Sequence, residues 1–408
     1  MRLVLVFLSL FALTGSSFAA SDGKMSDPLH IMVSLEEQQI RVFQGQDLIT
    51  QSNISSGKSG HETPTGIFSV LQKNRYHRSN IYSNAPMPFM QRLTWSGIAL
   101  HASNSVPSHP ASHGCVRLPH KFASQLFKLK TMGAHVVIES NPQAPRKISH
   151  KLLPDPKNTW QPSAEYDSWV NDKIKSENFG MIAAKPNYAS RILITRRTYK
   201  DDLIETQRLL NKLGFDAGSV DGIMGPVTWG AISRFQETEK IEVNGKIDNT
   251  LLDALYSKAK EIRPANGRIM VRQHHRTVYD AEIQIKSPEI PLGSHLLTAS
   301  GFNKEKSKTD WLYVSLKDRV QTQLNLKSAH SVDPTTKRRS VHAALSRIVM
   351  TNQVRRQISR LLTQGSSIAI SDNGLSIETG AKGTDFIVLT KPDSLAKEYA
   401  GQVQTQTE

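Results

Sequence analysis

The spacing of apolar residues changes twice along the chain, and these changes limit the folds that are open to it. From about residue 30 to 140, apolar and polar residues alternate in short runs, as at Ile31 and Val33, which is typical of half-buried β-strands. Residues 198–260 repeat their apolar positions at helical spacing, in three runs separated by glycine turns. Residues 265–392 return to β-type patterns around one helical stretch.

These patterns predict a multidomain α+β protein. A chain of 408 residues is long enough for several hydrophobic cores. The predicted units are, in order, a signal peptide (1–19), a β-rich domain (27–140), a proline-rich linker or extension (141–197), a small three-helix bundle (198–260), a mixed C-terminal accessory domain (265–392) and a disordered polar tail (393–408).

The first residues have the layout of a secretory signal peptide. Arg2 supplies a positive charge, Leu3 to Leu13 form a largely apolar run, and Ser17 and Ala19 form the small-x-small pattern that precedes a cleavage site. The apolar run is shorter than the roughly 20 residues that a membrane-spanning helix needs. We therefore expect an exported protein without stable membrane insertion.

The chain is strongly basic, with a net charge of +15 and a pI of about 9.7. For an exported protein, the available polyanions are the cell wall and membrane surfaces rather than nucleic acid. The Lys and Arg residues are scattered, without an arginine-rich block or a base-stacking motif. We expect no nucleic-acid partner, and a solvated basic surface is the alternative to a wall-binding one.

Cys115 is the only cysteine in the chain, so an internal disulfide is impossible. A lone thiol in an exported protein is either reactive or a small apolar filler of a core. The stretch PASHGCVRLP (residues 110–119) surrounds it with a histidine, a glycine and an arginine, which favours a reactive thiol.

Cysteine–histidine chemistry follows from these neighbours. His101 closes a predicted strand, and we expect a hairpin-like return of the next loop to bring it to Cys115 as general base and ion-pair partner. The backbone N–H groups of Gly114 and Cys115 are expected to face a developing oxyanion. Arg117 is expected to hold a substrate carboxylate through its planar fork.

Two alternatives remain on the residues alone. The histidines and the arginine are also compatible with purely structural roles. A metal site is the other alternative, with candidate ligands His101, His109, His113, Cys115 and His120. Pro107 and Pro110 argue against the helix that would place an i,i+4 histidine pair on one metal. We expect neither a metal nor an organic cofactor.

The segment ALHASNSVPSHPASHGCVRLP (residues 99–119) closely resembles the active-site signature of L,D-transpeptidases of the YkuD type, which is a histidine, a loop, and then Ser-His-Gly-Cys followed by Arg or Asn. The segments ISSGKSGHETPTGIFSV and APMPFMQRLTWSGIALH are similar to upstream parts of the same family. The resemblance covers roughly residues 29–140. It implies a β-sandwich with a small helical addition.

The resemblance also implies a role for each matching residue. Cys115 matches the nucleophile, and His101 matches the base, oriented by the backbone carbonyl of Ala102. The other matching positions are His113 and Gly114 in the oxyanion loop, and Ser112 and Arg117 as supporting, substrate-binding positions.

The reaction implied by the resemblance is acyl transfer between peptidoglycan stem peptides. The cysteine attacks the carbonyl of the third stem residue, D-alanine leaves, and an amine resolves the thioester. That amine belongs to diaminopimelate of another stem, which gives a 3–3 cross-link, or to a lysine of an outer-membrane lipoprotein. Such a wall implies a periplasmic location. With water as acceptor the enzyme is an L,D-carboxypeptidase, and a non-catalytic wall-binding protein is a further alternative.

The helical bundle resembles the peptidoglycan-binding domain of wall enzymes. The matching features include Asp221-Gly222, Gly225-Pro226 and Phe235-Gln236. The resemblance implies wall binding, although these residues also define a three-helix fold.

Two short echoes suggest that residues 265–392 are a degenerate copy of the catalytic fold. IPLGSHLLTA is faintly similar to TPTGIFSV, and GSSIAISDNG to SGIALHASNS. In the second comparison Ser371 stands in the place of His101, and no cysteine follows. An unrelated accessory domain is the alternative.

Overall fold

The computed structural model of the chain describes residues 27–79, 84–156, 188–288, 290–303, 308–316, 340–375, 379 and 383–390. The predicted signal peptide and disordered tail lie outside these residues, as does much of the predicted linker. Within the described ranges, no helix combines the length and the hydropathy needed to cross a membrane.

The first unit is a β-sandwich of two sheets with one helix, α1 (His120–Lys128). Its strands are β1 (Leu29–Ser34), β2 (Gln39–Gln44), β3 (Asp47–Asn53), β4 (Gly66–Ser69), β5 (Gln72–Arg78), β6 (Pro86–Arg92), β7 (Ala99–Ala102), β8 (Val116–Leu118) and β9 (His135–Glu139). One sheet has the order β4-β9-β1-β2-β3, and the other has the order β5-β6-β7-β8.

Alternate side chains of the two sheets meet in one core. Ile31 and Val33 of β1 pack there with Leu100 of β7 and Val116 of β8, and all four are buried. Leu126 of α1 joins the same cluster. The alternation that predicts β-strands from the sequence therefore also selects the core-facing side, and the expected sandwich with a small helical addition is confirmed.

The helical unit consists of α2 (Tyr199–Lys212), α3 (Pro226–Thr238) and α4 (Asn249–Ala259). Thr198 and Asp201 form a reciprocal capping box at the start of α2, and the side chain of Asp248 caps α4. Leu209, Phe235 and other apolar side chains from all three helices form a separate buried core. The predicted three-helix bundle is confirmed.

The third unit is built on an eight-stranded sheet with the order β10-β15-β14-β17-β11-β12-β13-β16. Its elements are β10 (Arg146–Ile148), β11 (Arg191–Arg196), β12 (Gly267–Gln273), β13 (Arg276–Ile285), β14 (Ser294–Asn303), β15 (Lys308–Leu316), α5 (Val341–Arg347), β16 (Ile348–Val349), α6 (Asn352–Leu361) and β17 (Ser367–Ser371).

Two of these strands lie within residues 141–197, which the sequence analysis assigns to a linker or extension. They are β10 and β11, and β11 pairs with β12 on one side and β17 on the other. The third unit therefore begins before the helical unit, which lies between β11 and β12 in the chain. Strand β11 is one short apolar run next to a proline-rich stretch, so composition gives little sign of it.

Five strands of the third unit repeat the arrangement of the first sheet. The order β14-β17-β11-β12-β13 corresponds to β4-β9-β1-β2-β3. In both sheets the central pair, β11/β17 or β1/β9, is parallel and the other pairs are antiparallel. A helix precedes the last strand in both, α6 before β17 and α1 before β9 in order along the chain. This topology supports the degenerate-copy hypothesis.

One detail of that hypothesis is wrong. Ser367–Ser371 form the counterpart of β9, so Ser371 corresponds to Glu139 and not to His101. The other echo holds, because IPLGSHLLTA leads into β14, the counterpart of β4. Between β15 and β17, the portion of the chain that is described forms α5, β16 and α6 instead of counterparts to β7 and β8.

The two related sheets pack face to face through equivalent positions. Met32 and Val137 of the first sheet share a buried cluster with Leu193 and Ala369 of the second. These pairs are neighbours in the parallel ladders of their own sheets. Arg191 adds polar contacts across the boundary, with an Nη1 to His135 Nε2 distance of 2.9 Å.

The last described segment, residues 383–390, adds a strand to the first sheet. Strand β18 (Val388–Leu389) pairs antiparallel with β4, and the hydroxyls of Thr65 and Thr390 are 2.6 Å apart. Ile387 is 1% exposed and belongs to the core of the first unit. The last described residues are therefore part of the fold that carries β7 and β8.

We expect Ile387→Ala to lower the free energy of unfolding by about 2–4 kcal/mol, because it leaves a cavity in the first core. The matched control is Ile262→Ala, whose side chain is 95% exposed and should change stability by less than about 0.5 kcal/mol. Urea denaturation of the full-length variants measures both. Equal stability of the two variants would contradict the structural role of this segment.

Candidate active site

Parallel pairing of β7 and β8 brings the predicted catalytic residues together. The register sets His101 opposite Arg117, so Cys115, one residue before β8, stands beside Ala99. The expected hairpin-like return is wrong in direction, because the loop of residues 103–115 crosses back to the start of β7 before β8 begins. Parallel neighbours need such a crossover. The expected proximity of the histidine and the cysteine is nevertheless present.

The sheet arranges the site in two rows. Arg92 of β6 pairs with Ala99, so Arg92, Ala99 and Cys115 follow one another across three strands. His101 and Arg117 form the next row, two residues further along their strands. Cross-strand neighbours share a face of the sheet. All five residues line one cavity of about 400 Å³.

The Cys115 thiol is half-buried in the wall of this cavity. Its Sγ donates to the carbonyl oxygen of Gly97 at 3.3 Å. Burial raises the pKa of the Cys115 thiol, and a backbone hydrogen bond from Ala99 and the charges of Arg92 and Arg117 oppose this effect only in part.

The His101 imidazole is 8% exposed, and its orientation is set by its neighbour in sequence. The Nδ1 atom lies 2.8 Å from the carbonyl oxygen of Ala102. Because a carbonyl only accepts, Nδ1 carries the proton of the neutral ring and Nε2 keeps its lone pair. Burial lowers the pKa of His101, the hydrogen bond to Ala102 opposes this, and the charge of Arg117 lowers the pKa further.

These shifts keep both groups neutral near pH 7. The thiol of Cys115 stays protonated because its pKa is raised, and His101 stays unprotonated because its pKa is lowered. A neutral thiol beside a neutral imidazole is compatible with general-base catalysis, in which the proton moves as sulfur attacks. The ion-pair part of the expectation is not supported by these shifts.

The loop before Cys115 is fixed by Ser112 and Gly114. Ser112 Oγ donates to the carbonyl oxygen of Cys115 at 2.5 Å and accepts from the N–H of Gly114 at 3.2 Å. Gly114 has φ of +107°, and a Cβ there would lie 3.0 Å from Ile98. The Gly114 N–H is bonded to Ser112 in this state, so its expected part in an oxyanion hole stays a prediction.

Thr63 supports the same loop from a distant part of the sequence. Its buried Oγ1 donates to the carbonyl oxygen of Gly114 and accepts from the N–H of Gly57, both at 2.8 Å. A Cβ at Gly57 would lie 2.0 Å from the carbonyl oxygen of His61, so only glycine fits there. Residue-by-residue reasoning overlooked Thr63, although the segment that contains it carries part of the family resemblance.

The remaining predicted residues lie at or near the rim of the cavity. Arg117 is half-buried, and its backbone forms a two-way bridge with Ser55. His113 is exposed, with its ring 4.9 Å from that of His61. His109 and His120 are exposed as well, and among the described residues no three His, Cys, Asp or Glu side chains gather as a metal site.

Two further cavity residues were not singled out from the sequence, His77 on β5 and Arg92 on β6. Burial, followed by the charge of Arg92, lowers the pKa of His77. Both residues reach the cavity through the antiparallel pairing of β5, β6 and β7, which residue types alone do not indicate. The resemblance to the family includes the segment with Arg92 but assigns it no role.

We expect alkylation of Cys115 by iodoacetamide to accelerate about tenfold per pH unit between pH 6 and 9, without a plateau. The sign follows from the raised pKa of the thiol, since the reactive thiolate fraction keeps growing below that pKa. Mass spectrometry of the full-length protein measures the rate, with Cys115→Ala as the blank. A plateau that begins below pH 7 would show a resting thiolate and contradict the neutral pair.

Comparison with family models divides the chain at the same places. Residues 28–138 match the model of YkuD, an L,D-transpeptidase catalytic domain. Residues 199–255 match the model of PG_binding_1, a peptidoglycan binding domain. No curated protein matches the chain.

Several solved structures of L,D-transpeptidases are similar to part of the chain. One from Mycobacterium smegmatis is 19% identical, with 28% of this chain and 59% of that chain covered and a TM-score of 0.26. One from Xylanimonas cellulosilytica DSM 15894 is 25% identical, covering 28% and 61%, with a TM-score of 0.26. One from Stackebrandtia nassauensis is 25% identical, covering 31% and 62%, with a TM-score of 0.27.

The alignments span about three fifths of each of these structures, and the TM-scores are low. The assignment therefore rests on the family models. Both resemblances found in the sequence are confirmed by them: the chain carries an L,D-transpeptidase catalytic domain of the YkuD family and, after it, a peptidoglycan-binding domain.

Proposed function

We propose that this protein is an exported L,D-transpeptidase that acts on peptidoglycan stem peptides with Cys115 as its nucleophile. The observation that carries the proposal is the cavity shared by Cys115 and His101, in which the Ala102 carbonyl fixes the histidine tautomer. The catalytic-domain match over residues 28–138 supports the same chemistry.

In the first half of the reaction, Cys115 Sγ attacks the carbonyl carbon of the third stem residue. His101 Nε2 takes the thiol proton as the carbon–sulfur bond forms, and the hydrogen bond from Nδ1 to Ala102 stabilises the resulting imidazolium. His101 then gives this proton to the amine of the terminal D-alanine as the carbon–nitrogen bond breaks. The products are a thioester on Cys115 and free D-alanine.

In the second half, an amine attacks the thioester carbonyl and His101 accepts its proton. A new amide forms as the carbon–sulfur bond breaks, and His101 returns the proton to the sulfur of Cys115. The acceptor is the diaminopimelate amine of a second stem, which gives a 3–3 cross-link, or a lysine of an outer-membrane lipoprotein. Water in the same position gives the L,D-carboxypeptidase alternative.

The other units fit a wall enzyme. The helical unit matches a peptidoglycan-binding domain, which supports peptidoglycan as the polymer that is bound. The signal-peptide pattern at 1–19 motivates export to the periplasm. A purely wall-binding protein is the less favoured alternative, because it does not require a buried histidine and a thiol in one cavity.

We expect the full-length protein to convert a purified disaccharide-tetrapeptide into dimers that have lost one D-alanine. Cys115→Ala should reduce the rate by at least about 10³-fold, because it removes the nucleophile and leaves the fold intact. Mass spectrometry of the products provides the measurement. Tripeptide monomers without dimers would favour the carboxypeptidase, and equal conversion by the variant would contradict a role for Cys115.

We expect Thr63→Val to lower kcat by about 10- to 100-fold with little change in KM, because it frees the loop that holds Gly114 and Cys115. The matched control is Thr206→Val, which removes a buried hydroxyl from the helical unit. Steady-state kinetics with the disaccharide-tetrapeptide test both variants. The same kcat for the two would show that Thr63 does not position the nucleophile.

A further inference from the structure

Among the described residues that line the cavity of Cys115 and His101, none carries a carboxylate. Every residue that lines it lies between His77 and His120. The surrounding segment, residues 63–138, contains eight Lys or Arg residues and no Asp or Glu. A cavity with this composition favours an anionic ligand over a neutral or cationic one.

Arg92 is the buried cation of this wall, at 8% exposed. Its Nε donates to Gln72 Oε1 at 2.9 Å, and its guanidinium carbon lies 5.4 Å from the centre of the Trp95 ring. Within the described ranges, no carboxylate forms an ion pair with it and its Nη groups have no hydrogen-bond acceptor. The Nε edge of the guanidinium is thus held by Gln72, and the other edge has no partner among the residues that the structure describes.

A buried guanidinium without a counter-ion is costly, so the site is suited to a ligand that supplies one. The two Nη groups form a planar fork that matches the two oxygens of a carboxylate. The contacts with Gln72 and Trp95 hold the fork in place before the ligand arrives, which reduces the entropy lost on binding.

The distance between Arg92 and Cys115 indicates which carboxylate of a stem peptide Arg92 can bind. Arg92 and Cys115 lie on strands either side of β7, each beside Ala99, so their Cα atoms lie roughly 10 Å apart. The Nε of Arg92 is bonded to Gln72 of β5, on the far side of β6 from β7, and the side chain lines the same cavity as the Cys115 thiol. In a tetrapeptide stem, the terminal carboxylate lies roughly 4 Å from the carbonyl that the thiol attacks.

We propose that Arg92 binds the terminal carboxylate of the leaving D-amino acid and so makes the site specific for stems that end at that residue. This inference rests on the proposed transpeptidase function. Arg117 pairs with His101, two residues further along the strands than Cys115. In this proposal it faces the acyl part of the substrate, not the leaving D-amino acid. A stem whose terminal carboxylate is converted to an amide, by a carboxamide or by one more residue, lacks the anion that Arg92 needs.

The test measures equilibrium binding to full-length Cys115→Ala, which cannot turn over the ligand. The two probes are the disaccharide-tetrapeptide and the same compound with a C-terminal carboxamide. We expect the Cys115→Ala protein to bind the tetrapeptide with its free carboxylate about 10- to 100-fold more tightly than the carboxamide. Adding Arg92→Gln should abolish this preference, Arg92→Lys should keep part of it, and Arg117→Gln should keep all of it.

Several results would overturn the proposal. These are equal affinity of the Cys115→Ala protein for both probes, binding of neither probe, an unchanged preference in the Arg92→Gln protein, or loss of the preference in Arg117→Gln alone. If Arg92→Gln lowers the midpoint of thermal unfolding, the charge-conserving Arg92→Lys protein decides the outcome. A reduced preference in Arg92→Lys supports the proposal, and an unchanged preference contradicts it.

A parallel incubation of wild-type protein with the tetrapeptide tests the proposed function separately, by the mass of an acyl adduct on Cys115 and of released D-alanine. No adduct together with a retained carboxylate preference would reject the transpeptidase and keep the carboxylate site. Adduct formation without a preference for the carboxylate probe would support the transpeptidase and reject Arg92 as the carboxylate site.

Discussion

The pairing of β7 with β8 is the interaction on which the candidate active site depends. It decides that His101 faces Arg117 and that Cys115 stands beside Ala99. A shift of one residue would turn the thiol to the other face of the sheet. The backbone bridge between Ser55 and Arg117 holds the far side of β8, so this short strand is bonded on both edges and its register is fixed.

The sequence was sufficient for features that are local and insufficient for those that depend on pairing. Cys115, Gly114 and His101 stand out because their residue types and spacing are confined to one short segment. The direction of the β7/β8 pairing is not encoded in that spacing, since a loop of this length serves a hairpin or a crossover. Thr63 reaches the site through a contact with Gly114, 51 residues away, and Arg92 through the pairing of β6 with β7, so their neighbours in sequence give no sign of it.

Dependence on strand pairing also explains why the third unit is hard to recognise from the sequence. Its strand β11 is separated from β12 by the whole helical unit, so the sheet is interrupted in sequence but continuous in space. Faint echoes suggested a second copy of the fold, yet only the ladder register shows that β17 corresponds to β9. The third unit has a sheet like that of the first unit and packs it against the first sheet, and residues 387–389 return to the first unit. The third unit therefore supports the first unit, by packing against its sheet and by leading into the strand that extends it.

The positive charges around Cys115 are too weak to ionise the thiol, and they are better suited to binding an anionic substrate. Two guanidiniums line the cavity with Cys115, and both favour the thiolate, yet burial outweighs them and the pKa of the thiol is raised. An anionic ligand that binds Arg92 would neutralise part of this field and disfavour the thiolate further. A thiol in such a site depends on a base at the moment of attack. Under the proposed function, the neutral His101, oriented by Ala102, would supply that base, and the cations would hold the ligand in place.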